Sequence, residues 1–136
     1  MSPLSKKVLL LVFLFFSSMF LCAQSLVFSD TAFFKSLVKH GVDANRDGVI
    51  ELKEAHAVTS LKVEGKEIKD LAGIEHFQNL ESLRCYHTKL TTLNLTSNKK
   101  LKSLYCSSNP ITSLSVQGLD NLENLECTGE NWRRWM

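Results

Sequence analysis

"LESLRCYHTKLTTLNL" (residues 80–95) is followed by "LKSLYCSSNPITSLSV" (residues 101–116), and the second stretch rewrites the first at a distance of 21 residues. Leu80, Leu101 and Leu122 fall in one column, Leu83, Leu104 and Leu125 in a second, and Cys85, Cys106 and Cys127 in a third. Val58, Leu61 and Val63 carry all three columns backward at a spacing of 22. Two further columns hold Ile68, Leu90, Ile111 and Trp132, then Leu71, Leu93, Leu114 and Trp135. A fixed period of this length marks a chain built by stacking one small unit on the next. Alternate residues of a strand point to opposite sides, so each turn offers an apolar edge that it cannot bury alone and that its neighbours cover. About three repeats are the minimum for such a stack, and residues 58–136 hold about four, the last incomplete. The expected unit is a coil with one short strand per turn.

The same alternation sends three rows of residues outward. Ser60, Ser82, Ser103 and Asn124 form the first, Lys62, Arg84, Tyr105 and Glu126 the second, and Glu64, Tyr86, Ser107 and Thr128 the third. Tyr and Arg are the types that most often carry binding energy at interfaces. Arg84, Tyr86 and Tyr105 are therefore the expected centre of a contact patch, with Lys62 and Glu126 at its margin; the alternative is that these rows only solvate the sheet.

Upstream lies a segment of different character. "DANRDGVIELKE" (residues 43–54) places Asp43, Asn45 and Asp47 at positions one, three and five, Gly48 at six, Val49 at seven, Glu51 at nine and Glu54 at twelve. This is the spacing of an EF-hand calcium loop. Calcium is a hard cation that takes six to eight oxygens. Asp43, Asn45 and Asp47 would supply short side-chain ligands, Gly48 the sharp turn and Val49 its carbonyl, with Glu51 acting through a water. Glu54 would reach back to close the site. The alternative is a turn rich in Asp, Asn and Gly that merely links two helices. Before the loop, Ser29 or Asp30 offers an N-cap, Phe33, Phe34, Leu37 and Val38 recur at helical spacing, and Gly41 is a stop signal. "ELKEAHAV" after it reads as a short exiting helix, although Ala55 stands where a large apolar residue is usual. With Ile50 and Leu52, these apolar residues are placed to cover the first turn of the repeats.

The frame L-x-x-L-x-C-x-x-N-x-L resembles a leucine-rich repeat. In that family a side-chain amide at the Asn position ties one turn's backbone to the next. Only Asn109 occupies it here, with Lys66, Thr88 and Glu130 in the other turns, so the resemblance implies a broken ladder and looser turns. An export signal, an EF-hand-like segment and these repeats together look like secreted bacterial leucine-rich repeat proteins of the broadly internalin-like kind. That resemblance implies a non-enzymatic surface for binding or adhesion, with a protein or surface glycan as partner. The expected fold class is α+β: a short N-terminal helix-loop-helix at residues 24–57, EF-hand-like with one structural Ca2+, capping a small leucine-rich repeat solenoid of about four turns with a short parallel sheet. A calcium-responsive binding protein and a fragment of a larger repeat protein are the alternatives.

The ends and the charges bound the rest. Lys6 and Lys7 precede an uncharged apolar run, Val8 to Cys22, that stops at Ala23-Gln24. That order is what a cleavable signal peptide needs, with cleavage after Ala23 and a secreted or cell-surface product. An uncleaved anchor would use a run shorter than the roughly 20 residues a spanning helix requires, and a lipid-modified Cys22 would want a small residue where Leu21 stands. Without residues 1–23 the chain keeps 14 Lys and Arg and 14 Asp and Glu, which leaves no basic drive toward nucleic acid. The membrane matters only through the signal during export.

Three cysteines would remain, all in one inward column. A stacked ladder of small buried side chains accounts for their spacing without a bond; the alternative is one disulfide between neighbours plus a free thiol. His40, His56, His76 and His87 fall at no catalytic or metal spacing. Phosphate-binding glycine loops, nucleophile elbows and carboxylate pairs are missing outside the calcium loop, so no catalytic residue and no further cofactor is expected. Trp132 and Trp135 are placed to cover the far end of the stack, or to meet a partner.

Overall fold

The computed structural model describes residues 24–128. Residues 1–23, where a signal peptide is expected, Glu130 and the two tryptophans lie outside the described residues. Within them the repeats form a β-solenoid. Strands β1 (Ser60–Glu64), β2 (Ser82–Tyr86), β4 (Ser103–Tyr105) and β6 (Asn124–Glu126) make one parallel sheet in the order β1-β2-β4-β6. Its register follows the sequence columns: Leu61 faces Leu83, Leu83 faces Leu104, and Leu104 faces Leu125. The polar rows pair in the same way, Lys62 with Arg84, Arg84 with Tyr105, and Tyr105 with Glu126.

Two expectations are corrected here. The solenoid formed by the described residues has about three turns rather than four. The turns also carry more than one strand. Strands β3 (Thr92–Asn94) and β5 (Ser113–Ser115) pair in parallel as a second, two-stranded sheet on another side of the coil. Both read polar-apolar-polar, with Leu93 facing Leu114, a pattern that suits a half-buried strand. The first turn does not extend this sheet. There the chain passes through Gly73 at φ 105° and into a 3-10 helix, Ile74–His76.

Two helices cover the open start of the coil. Helix α1 (Thr31–Lys39) begins at Asp30, whose Oδ1 accepts from the backbone N–H groups of Ala32 at 2.8 Å and Phe33 at 3.0 Å. It ends where Gly41 turns left-handed at φ 78°. There the Val42 N–H donates to the Leu37 carbonyl and the Gly41 N–H to that of Val38, the paired bonds of a Schellman motif. Helix α2 (Leu52–Ala57) follows the loop. The stretch before α1 and the end of the loop are tied by a short antiparallel pairing, with the Leu26 N–H on the Ile50 carbonyl and the Leu52 N–H on that of Gln24.

The lid packs as one body with the coil. Phe33, Leu37 and Ile50 are fully buried in the same core as Leu61, Val63, Ile68 and Phe77. Phe34 and Leu52 are half-buried against it, whereas Val38 faces outward. Helix α1 lies on β1, and α2 lies on the 3-10 turn. Ala55 is fully buried at that second contact, so the small residue that looked out of place lets a short helix approach a tight turn. Phe28 seals the seam, edge-on to Phe33 at 5.6 Å and with its ring over Gly73, where a Cβ would come within 2.6 Å of it.

Polar side chains inside the turns are more abundant than the single Asn position indicated. Asn109 is buried, and its Nδ2 donates to the carbonyls of Cys85 and Cys106. Its Oδ1 accepts from the Thr88 N–H at 2.9 Å and from the Thr88 hydroxyl. Thr88 thus completes the connection from its own turn, and the ladder described as broken is bridged between these two turns. Asn98, which the columns do not single out, is fully buried and donates to the Ile74 carbonyl at 2.8 Å and the Phe77 carbonyl at 3.1 Å. Nearer the surface, Asn79 donates to the His56 carbonyl and Asn121 to that of Lys99.

The cysteine column is also corrected. Cys106 and Cys127 are joined by a disulfide across adjacent turns, their Cα atoms 4.6 Å apart, within the span such a bond requires. Cys85 stays a buried thiol, pushed up to about 12 by desolvation. Parallel stacking brings equivalent positions of neighbouring turns to the strand spacing, so a ladder and a disulfide need nearly the same backbone.

Candidate functional site

The loop between the helices is held by bonds from its own side chains to its backbone. Asp43 Oδ2 accepts from the Gly48 N–H at 3.0 Å, Asn45 Oδ1 from the Asp47 N–H at 3.0 Å, and Asp47 Oδ1 from the Val49 N–H at 2.9 Å. Each short side chain thereby fixes the backbone ahead of it, with Arg46 and Gly48 at φ 61° and 83°. Glu54 reaches back over the loop to backbone N–H groups. Its Oε1 accepts from the Ala44 N–H at 2.9 Å and more loosely from that of Asn45, while Oε2 accepts from the Glu51 N–H at 3.0 Å.

The fit to a hard cation divides along the same lines. The donor set is all oxygen, and Asp43 Oδ1 is buried with no hydrogen-bond partner, as an oxygen kept for a ligand would be. Against this, the Glu54 carboxylate is occupied by backbone N–H groups, and Asn45 Nδ2 donates to Asp47 Oδ2 at 2.9 Å. Among the described residues no three His, Cys, Asp or Glu side chains converge closely enough to hold a metal ion. Glu51 turns toward Lys53, whose Nζ lies 2.6 Å from its Oε2, and Val49 is exposed at the loop's outer edge. The loop's residues suit calcium by chemistry, and in this arrangement hydrogen bonds hold it closed.

The second candidate is the outward face of the four-stranded sheet. The Arg84 guanidinium lies 5.5 Å from the centre of the Tyr105 ring, a cation–π distance. Tyr86 and Tyr105 face each other at 6.5 Å between ring centres. Desolvation, with the Glu126 carboxylate next, pushes the Tyr86 hydroxyl up from its ordinary range. The patch expected from the rows is therefore brought together by the register of β2, β4 and β6. Ser107 is an exception in the third row: it is buried, and its Oγ accepts from the Thr128 N–H at 3.1 Å.

One end of this face continues into a cavity of about 510 Å³ between the lid and the first two turns. Lys39 enters it from α1, Lys62 and Glu64 from β1, Lys66 from the following turn, and Tyr86 and His87 from the end of β2. Glu64 sits among the cations, 2.7 Å from Lys62 Nζ and 2.9 Å from Lys39 Nζ, with His40 Nε2 at 3.8 Å. The Lys62 ammonium, then that of Lys39, hold its carboxyl down at about 2. Residues 62, 64 and 86 belong to the outward rows and were legible there. Lys39 comes from a helix whose placement over β1 no repeat column encodes.

These features define a small α+β protein, a parallel β-solenoid of about three turns under a two-helix lid, with an aromatic and cationic outer face. Neither a protein-family model nor a curated protein matches the sequence. Among solved structures it is similar to that of the CBM51-2 and INT domains of ZmpB from Clostridium perfringens, at 27% identity over 64% of this chain and 18% of that one, with a TM-score of 0.56. A second structure from the same protein, of CBM51-2 in complex with GlcNAc and of the INT domains, is similar at 27% identity over 61% of this chain and 17% of that one, with a TM-score of 0.51. The chain thus spans less than a fifth of the solved structures it matches.

Proposed function

We propose that this is an exported, non-enzymatic binding module of the leucine-rich repeat kind, whose outer sheet face meets a protein or a surface glycan. The observation that carries the reading is the cluster of Arg84, Tyr86 and Tyr105, three residues from two turns gathered on one open face. Rigid aromatic rings with a guanidinium among them supply contact area at low entropic cost. The similarity to structures that include a GlcNAc complex supports a glycan among the partner classes. The surface origin that this reading requires rests on the signal-like residues 1–23.

The reading has a direct test. Immobilised protein is compared with Arg84→Ala and Tyr105→Ala in capturing material from cell-surface extracts. Each substitution is expected to weaken capture at least about tenfold, the usual scale for a hot-spot residue. Undiminished capture by both variants would remove the face from the mechanism.

Calcium belongs to the same proposal as a structural ion. The residues that would hold it are Asp43, Asn45, Asp47 and Glu54, with the Val49 carbonyl and Glu51 completing the set. An extracellular module of this type binds in the range of about 10⁻⁴ to 10⁻³ M, so about 2 mM calcium would add roughly 1–2 kcal/mol by mass action. That corresponds to a rise in Tm of several degrees for a domain of this size. Melting in calcium and in chelator checks it, and equal melting temperatures would take the metal out of the proposal.

A further inference from the structure

We infer that the cavity between the lid and the first two turns takes an anionic saccharide, a sugar bearing a carboxylate or a sulfate, as the ligand of the sheet face. This rests on the proposed binding face and specifies what that face recognises. The cavity combines two kinds of wall. Three lysines, Lys39, Lys62 and Lys66, stand around one carboxylate, Glu64. Even with His87 neutral, cations outnumber anions among the lining side chains. On the other side the half-buried Tyr86 ring leads to Tyr105 and Arg84.

The lysines differ in what they already hold. Lys39 and Lys62 share the single Glu64 carboxylate. Lys66 and Arg84 make no ion pair among the described residues. Of the other cations in the turns, Lys89 lies 3.8 Å from Glu67, Lys102 lies 2.9 Å from Glu81, Lys100 donates to Asn79, and Lys99 donates to the Gly118 carbonyl, while Lys69 lies outside the cavity lining. Positive charge with no carboxylate partner is thus found both in the cavity, on Lys66, and on the adjoining sheet face, on Arg84 against the Tyr105 ring. A pair of tyrosine rings beside a lysine-lined cavity suits a sugar ring stacked on an aromatic face with its acid group toward the ammonium groups. Glu64 shows that the site already holds one carboxylate against two ammonium groups.

Binding of trigalacturonate, sulfated chitotriose and neutral chitotriose is measured by titration calorimetry on the whole protein, with pentaglutamate as a fourth ligand. One or both acidic sugars are expected to bind at least tenfold more tightly than neutral chitotriose, and several-fold more weakly at about 0.5 M salt, where the Debye length falls below about 5 Å. Which of the two binds separates carboxylate from sulfate recognition. Lys62→Glu and Lys66→Glu are each expected to lower that affinity at least tenfold. Lys66 has no ion pair to lose, so its variant reports on the site even if the Lys62 variant melts early. Equal binding of the neutral sugar, tighter binding of pentaglutamate, or no effect of Lys66→Glu would overturn the inference. Should no sugar bind while capture still depends on Arg84 and Tyr105, the inference fails and the binding face stands; should capture be indifferent to those residues as well, both fail.

Discussion

Asn109→Ala is expected to lower stability by about 3 kcal/mol or more, the largest single effect foreseen for this chain. The Asn109 amide is buried and serves two adjacent turns at once, donating to the carbonyls of Cys85 and Cys106 and accepting from Thr88. Truncation leaves those carbonyls and the Thr88 N–H without partners in the core, and each orphaned group costs roughly 1–3 kcal/mol. The residual void adds to the loss. Thr88→Val should cost less, because it removes one hydroxyl and keeps the N–H on Asn109. Chemical denaturation of both variants and the double variant measures the coupling. If the two single losses simply add, the amide and the hydroxyl act independently and the bridge between the turns is not a unit.

That bridge also shows how far the sequence could be read. The spacing of Leu80, Leu83 and Cys85 against Leu101, Leu104 and Cys106 fixed the strand register, since a stacked turn must set like residues over like. It also placed the outer rows, and with them Arg84, Tyr86 and Tyr105. What it did not contain was anything decided by one turn meeting another through unlike residues. Thr88 stands at an Asn position and was counted as a gap, yet its hydroxyl and N–H meet the Asn109 carbonyl oxygen. Asn98 sits in a column shared with Phe77 and Leu119 and bonds the backbone of the turn before. Such contacts depend on the backbone being in place first.

The cysteines and the cavity make the same point in other terms. A column of Cys at a spacing of 21 is compatible with contact or with a bond, and the fold holds both: Cys106 is joined to Cys127 while Cys85 keeps its thiol. The lysine-rimmed cavity needs the angle at which α1 meets β1, a tertiary fact with no periodic trace. The capping of α1 was legible as a choice between Ser29 and Asp30. Asp30 takes the cap, and its second oxygen also bonds outside the helix.

Asp30 holds the lid to the solenoid, and Asp30→Ala is expected to cost about 2 kcal/mol. One carboxylate oxygen caps α1 through Ala32 and Phe33, worth roughly 1 kcal/mol at a typical N-cap. The other accepts from the Lys69 N–H at 2.8 Å and the Asp70 N–H at 3.1 Å, in the first turn of the coil. Those two bonds are exposed and screened by solvent, so they add about as much again rather than the full value of buried charged bonds. Burial works against the charge of Asp30, but the N–H groups of Lys69, Phe33, Asp70 and Ala32 prevail and hold its carboxyl below the usual value of 3.8. A lowered folded-state value means that the charged form is what the native state prefers. Its contribution is therefore full above pH 3.8 and is lost as pH falls through the lowered value. The carboxyl of Glu64 is also held down, at about 2, so its protonation weakens the protein in the acid as well. The informative quantity is thus the difference in melting temperature between unaltered protein and Asp30→Ala, followed from pH 7 to pH 2.5. The gap should be widest near neutrality and close in the acid as Asp30 protonates. A gap that stays constant across this range would mean that the carboxylate's charge does not fasten the lid, and that only its shape at the helix start matters.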